Sequence, residues 1–256
     1  MTHQDRVSMK SGSDTHIPYV HGSNAIEQRR LETRTAATAA AFFLPHLRPG
    51  MRLLDCGCGV GSITVGLAEA VAPGEVIGVD LQPAQIERAG FVAAERCVGN
   101  VRFEIGSVYE LAYPDASFDA SFAHTLLFHL REPLQALREM RRVLKPGGVV
   151  GVADDDRGTF IHYPERPLIS ELHHLFWQVI RHHGGNPFTG RQKRRLLLEA
   201  GFSRVVASPT FAPGGAQGWA NERKLEAMAA AVVEWGEHPD AYAAAMGVAA
   251  VGWVDA

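Results

Sequence analysis

Two carboxylates and three glycines are the residues of this chain best arranged to do chemistry together. Residues 53–61 read Leu-Leu-Asp-Cys-Gly-Cys-Gly-Val-Gly, and residues 76–80 read Val-Ile-Gly-Val-Asp. Each apolar run carries an acid near its end, Asp55 and Asp80, and Gly57, Gly59 and Gly61 alternate after the first. A glycine turn lets a ligand approach the backbone because no Cβ intrudes. An acid closing the second run can accept from both hydroxyls of a ribose, one per carboxylate oxygen. The spacing predicts a nucleoside-binding strand–loop–helix–strand unit. It departs from the dinucleotide fingerprint G-x-G-x-x-G, whose third glycine would fall on Ser62.

A second set of residues could move protons. His124 follows another apolar run, and an unperturbed imidazole titrates at about pH 6.5. It is the first candidate for a general base, with His129 and Asp154 behind it. Asp154-Asp155-Asp156, and the seven of twelve histidines between 124 and 183, raise the question of a metal. The His-His pairs at 173–174 and 182–183 put neighbours on different helix faces, which is poor chelating geometry. No metal is expected. Cys56, Cys58 and Cys97 are too few and too unevenly spaced for a disulfide framework.

These groups need elements to hold them. Strands are expected at 52–55, 76–80, 101–105, 118–123 and 149–153. Helices are expected between them over 61–71, 82–97 and from Pro133 to the Lys145-Pro146-Gly147-Gly148 stop. Repeated βαβ spacing predicts a parallel sheet covered on both faces, with ligands at the carboxyl ends of its strands. Asp55, Asp80, Gly106-Ser107, His124 and Asp154 all fall at such ends. Further helices are expected over 25–44, 167–183, 190–200 and 216–235. Two more strands are expected at 203–211 and 246–254, and Gly201 reads as a helix C-terminal glycine.

With these residues in view, the chain resembles the class I S-adenosylmethionine (SAM)-dependent methyltransferases, in particular the ubiquinone/menaquinone C-methyltransferase-like group of bacterial small-molecule enzymes. The resemblance runs over residues 19–155, through Tyr19-Val20-His21-Gly22, LLDCGCGVG, VIGVD, FEIGSVYEL, SFDASFAHTLLFHL and LREMRRVLKPGGVVGVAD. It implies a Rossmann-like α/β fold: a seven-stranded, mostly parallel sheet whose last strand is antiparallel and inserted beside the fifth. It implies SAM as cofactor and S-adenosylhomocysteine (SAH) as product. Asp55, Gly57, Cys58, Gly59 and Gly61 would line the methionine and ribose portions, and Asp80 would take the ribose hydroxyls. Leu81 would pack on the adenine, with Gly106, Ser107 and Val108 at its edge. Ser107 stands where the group commonly has an acid, which removes a charge from that contact. His124 would adjoin the methyl-transfer zone. Tyr19 and His21 would sit on an N-terminal lid, where Tyr19 could face the sulfonium. SAM has no phosphate, which accounts for a loop that is no pyrophosphate cradle.

The domain plan is then a tail and lid helix at 1–48, the SAM-binding core at 49–155, a helical cap at 156–200, and the rest of the sheet with a crossing helix at 201–256. Lid, cap and crossing helix would form the acceptor pocket, with Tyr19, His21, Tyr163, Trp177, Phe188 and Trp219 as its candidates. Such aromatics suit a planar, apolar small molecule. A net charge of −3 excludes a general nucleic-acid field, and the basic run 191–195 reads as a solvated helix face. No apolar stretch is long enough to span a membrane, and the polar N-terminus lacks a signal-peptide run. A small-molecule acceptor, a cytoplasmic setting and a homodimer are the expected context, without nucleic acid or membrane. Two other readings stay open: a SAM- or SAH-binding protein without transferase activity, and an NAD(P)-dependent oxidoreductase.

Overall fold

The computed structural model describes residues 31–214 and 242–255. Its sheet is built from β1 (Leu53–Cys56), β2 (Val76–Asp80), β3 (Val101–Ile105), β4 (Phe118–His124), β5 (Leu144–Asp155), β6 (Ile161–Tyr163), β7 (Arg204–Gly214) and β8 (Tyr242–Trp253). The order is β3-β2-β1-β4-β5-β8, with β6 and β7 both pairing to β8. The first five strands are parallel to their neighbours, whereas β8 runs antiparallel to β5, β6 and β7. The chain order reverses between β1 and β4, which is where a ligand crevice opens in such sheets.

The alternation of side chains along each strand divides the core in two. Leu53, Val76, Ala120, Phe122 and Val149 pack on one face against α1 (Ala36–Ala39) and α2 (Ser62–Val71). Leu54, Ile77, Ala123, Val150 and Val152 pack on the other against α4 (Pro133–Val143) and α6 (Lys193–Glu199). A third helix, α3 (Pro83–Glu95), lies beside α2 through Val92, Ala93 and Val65. Each large aliphatic side chain so buried is worth about 1.5–3 kcal/mol. The α4 helix starts at Pro133 and buries Ala136, Leu137, Met140 and Val143, a 3.6-residue stripe that fixes its roll on the sheet.

Three expectations change. The sheet has an eighth strand, β6, too short to leave a clear alternation signal. The helix expected over 25–44 is interrupted within the described residues. Thr35 is extended (φ −131°, ψ 159°), and its side chain accepts from the Thr38 amide, so a fresh four-residue helix begins at Ala36. A 3-10 turn over Leu44–His46 follows, with Pro45 in its first turn. The Lys145-Pro146-Gly147-Gly148 run lies within β5, which begins at Leu144. The cap carries α5 (Pro167–His182) and α6. Gly201 sits at φ +95° after α6, as its position suggested. The expected helix at 216–235, with Trp219, and the lid residues Tyr19 and His21 lie outside the described residues. None of the described helices is long and apolar enough to cross a membrane.

Candidate active site

A cavity of about 200 Å³ opens above the carboxyl ends of β1, β2 and β4. Its floor is the loop from β1 into α2, which turns back under β2 by donating the Gly57 and Cys58 amides to the Val79 carbonyl (2.7 and 3.1 Å). Two glycines show why the loop has this composition. Gly61 has φ +75°, and a Cβ there would lie 2.8 Å from the Ala89 Cβ and 2.9 Å from Phe103. Gly59 has φ +52°, lines the cavity, and would meet nothing within 4 Å. The first admits the close approach of α2 to α3 and β3; the second leaves backbone open to a ligand.

The two loop-side carboxylates differ. Asp55 is buried, and Thr64 Oγ1 donates to its Oδ2 at 2.6 Å. Burial pushes its carboxyl up to about 7, against the pull of that hydrogen bond and with a further push from Asp80. Asp80 ends β2 and accepts from the Gly59 amide (Oδ2, 3.0 Å) and the Gln82 amide (Oδ1, 3.0 Å). Burial raises its carboxyl too, while these amides work in the opposite direction. Each oxygen keeps lone-pair capacity for another donor. Nearby, Leu81 is 62% exposed at the rim. Ser107 Oγ accepts from the Tyr109 amide (3.2 Å). Gly106, Ser107, Val108 and Cys58 all line the cavity, and burial raises the Cys58 thiol.

At the other end His124 leaves β4. Its Nδ1 is 2.8 Å from Thr125 Oγ1, and its ring stacks at 6.4 Å on Phe122. Thr125 is held at φ +57° with its amide bonded to the Ala153 carbonyl (2.7 Å). A β-branched residue in that region costs about 1–3 kcal/mol, and such strain gathers at functional sites. Arg34 Nη1 reaches Thr125 Oγ1 at 3.4 Å. His129 also lines the cavity. Burial, with help from Arg157, Arg34 and His183, pushes its imidazole down to about 3. It is neutral near physiological pH and too weak a base for proton abstraction there.

The structure removes Asp154 from the site. Its carboxylate is buried 2.9 Å from Lys193 Nζ, and both side chains are almost wholly enclosed. The whole acidic run is paired: Asp155 with Arg157 (2.9 Å) and Asp156 with Arg191 through both carboxylate oxygens (2.6 and 2.7 Å). Within the basic run 191–195, Lys193 is enclosed in this pairing, whereas Arg191, Arg194 and Arg195 are exposed, as a solvated face would be. Tyr163, Trp177 and Phe188 do not line the cavity. Tyr163 is 61% exposed on β6. Trp177 packs edge-on against Phe188 (5.1 Å) and His173 (5.3 Å) in a cap cluster. Arg34, Thr125, Gln82, Gln85, Leu126 and His183 also line it and were not among the site residues expected from the sequence. Only Thr125, next to His124, carried a positional hint.

Comparison with known proteins shows the family and the fold. The methyltransferase domain model matches residues 47–183. An uncharacterized methyltransferase of Schizosaccharomyces pombe is 33% identical over 205 residues, covering 77% of this chain and 69% of its own length. The demethylmenaquinone methyltransferase of Staphylococcus aureus is 34% identical over 180 residues, covering 62% of this chain and 70% of its own. The chain spans about half the length of other curated relatives that it matches. Among solved structures, the YcgJ protein of a Bacillus superposes with a TM-score of 0.63 at 20% identity, over 85% of this chain and 98% of that one. By sequence and by fold, the chain belongs to the methyltransferase-domain family and is a class I SAM-dependent methyltransferase.

Proposed function

We propose that the protein transfers a methyl group from SAM to a small aromatic or apolar molecule. The observation that carries this reading is the donor end of the cavity. There a glycine floor meets two carboxylates, and Asp80 is oriented by two backbone amides. A second feature supports the fit. Gln85 is buried against the cavity, and its Oε1 has no hydrogen-bond partner among the described residues. A buried orphan acceptor costs about 1–3 kcal/mol, so a ligand donor there would be favourable.

SAM, when bound, supplies a methyl group already activated on a sulfonium. The chain's task is to align, to exclude water and to match charge. In this reading Asp80 accepts from the ribose hydroxyls, and Asp55 answers the ammonium. The Gly57, Cys58, Gly59 and Gly61 backbone lies along the methionine and ribose. Leu81 covers one adenine face, with Gly106, Ser107 and Val108 at the edge. Phe122, Leu126 and Leu130 give the acceptor an apolar wall. His124, steadied at Nδ1 by Thr125, presents Nε2 to any proton the acceptor must lose.

The experiment is calorimetric titration with SAM, SAH and NAD, on the protein and on Asp80→Ala. Micromolar binding of SAM and SAH, absent for NAD and lost in the variant, is the expected result. It opens a mass-shift screen of quinone-like acceptors. Absence of SAM and SAH binding overturns the reading. Binding of both without methylation of any acceptor leaves a SAM-binding protein without transferase activity.

A further inference from the structure

The charges along the cavity are unevenly divided. Among the described lining residues, the only carboxylates, Asp55 and Asp80, sit at the donor end. The lining also holds a guanidinium, Arg34, and three imidazoles, His124, His129 and His183, together with the apolar side chains of Leu126 and Leu130. Arg34 Nη1 is 3.4 Å from Thr125 Oγ1, and that hydroxyl is 2.8 Å from His124 Nδ1. Thr125 itself has a left-handed backbone, at φ +57°.

Resting on the methyl-transfer reading above, we propose that the acceptor is an acidic phenol or enol that enters ionised, its oxyanion lying against Arg34 and Thr125 at the His124 end of the cavity. A guanidinium and a hydroxyl are donors suited to an anionic oxygen, and hydrogen bonds to a charged acceptor are the strong ones. Buried aromatic walls without a cation would suit a neutral acceptor equally well; Arg34 breaks that equality.

Behind this end lie the Arg157 guanidinium and the Asp155 carboxylate that it pairs with. Burial works against the Asp155 carboxylate, yet Arg157, Arg34 and His124 hold it below the usual carboxylate range. Among the described residues Asp155 pairs with Arg157 and does not line the cavity. His129 responds to the same surroundings: after burial, Arg157, Arg34 and His183 are what keep it neutral.

The chemistry balances without a base. The hydroxyl's proton has already left to solvent. A lone pair of the oxyanion forms the new O–C bond to the methyl carbon as the C–S bond breaks, and its electron pair stays on sulfur. An anion and a sulfonium cation become a neutral ether and a neutral thioether. Charge is lost as the methyl moves, so exclusion of water from the two ions brings them closer in energy to the transition state.

The test uses the full chain saturated with SAH. Two probe pairs are titrated near neutral pH: 4-hydroxycoumarin against coumarin, and 2-hydroxy-1,4-naphthoquinone against its 2-methoxy ether. The ionised member of a pair should bind at least about tenfold more tightly, the scale of one charge-assisted hydrogen bond. Arg34→Gln should abolish the preference and Arg34→Lys should keep part of it, with SAH affinity unchanged in both. Equal affinity within each pair, no binding of either acid, or a preference that survives Arg34→Gln overturns the inference. SAH binding with no anion preference sinks this inference alone. Failure of SAH to bind removes the methyl-transfer reading and this inference together.

Discussion

Asp80 closes β2 and Asp154 is the last residue but one of β5, in the same sheet, and the two acids do opposite work. Asp80 is held by the amides of Gly59 and Gln82 and keeps oxygen capacity facing the cavity. Asp154 meets Lys193 at 2.9 Å, and both side chains are closed off from solvent. Amides orient a carboxylate without neutralising it, so Asp80 stays available to a ligand. A buried ammonium neutralises its partner, so Asp154 is spent on attaching the cap. Burial opposes charge on both members of that pair, raising Asp154 and lowering Lys193, and the contact is what offsets it. A strand-end acid is thus a site residue or a fastening according to what reaches it from elsewhere in the chain.

The largest test of this contrast is Lys193→Met, which leaves Asp154 buried without its cation. Breaking a buried pair costs about 3–5 kcal/mol, read as a lower denaturant midpoint with unchanged SAH affinity in the folded fraction. Lys193→Met with Asp154→Leu should recover most of that loss. If SAH affinity collapses with the cation in protein that is still folded, the pair is part of the site and the contrast fails.

Asp80→Ala is the counterpart. It should weaken SAH binding by about 2–4 kcal/mol, roughly 30- to 1000-fold, through loss of two ribose contacts. Stability should change by less than about 1 kcal/mol. A large drop in the denaturant midpoint with little change in affinity would reverse the roles assigned to the two acids.

Asp55 sharpens the comparison through pH. Its carboxyl sits at about 7 in the fold because burial disfavours the charge. Protonation is therefore tighter in the folded chain than in the unfolded one. The contribution to stability is full in acid below the ordinary carboxylate range, and it is lost as pH rises through about 7. A ligand ammonium favours the ionised form, so SAH affinity should climb by about tenfold from one pH unit below that value to one above it. Asp55→Asn should flatten both profiles. A pH-independent affinity in the unaltered protein would detach Asp55 from the ligand.

The smallest effect is expected at Tyr163. It is 61% exposed on β6 and away from the cavity, so Tyr163→Ala should change the midpoint by less than about 0.5 kcal/mol and leave methylation rates alike. A marked loss of turnover would bring β6 back into the acceptor site.

The glycine-loop side of the cavity was legible in the sequence because it is local. The glycines, Asp55 and Asp80 lie within one strand–loop–helix–strand unit, so their spacing along the chain is also their geometry in space. The parallel strands were legible for a similar reason: burial on both faces demands continuous apolar runs such as Val76–Val79. The His124 side of the cavity is assembled from segments far apart. Arg34 meets Thr125 across 91 residues and Asp154 meets Lys193 across 39, and no periodicity encodes such a pairing. The aromatic residues of the cap looked like a pocket by type. In the fold, Trp177, Phe188 and His173 satisfy one another instead. What the sequence determined by itself was the cofactor-type loop and the sheet that carries it, because backbone sterics and apolar alternation act over a few residues. Which charges face the cavity and which are buried against each other was decided only by tertiary structure, because a carboxylate's role depends on the cation or amide that long-range packing brings to it.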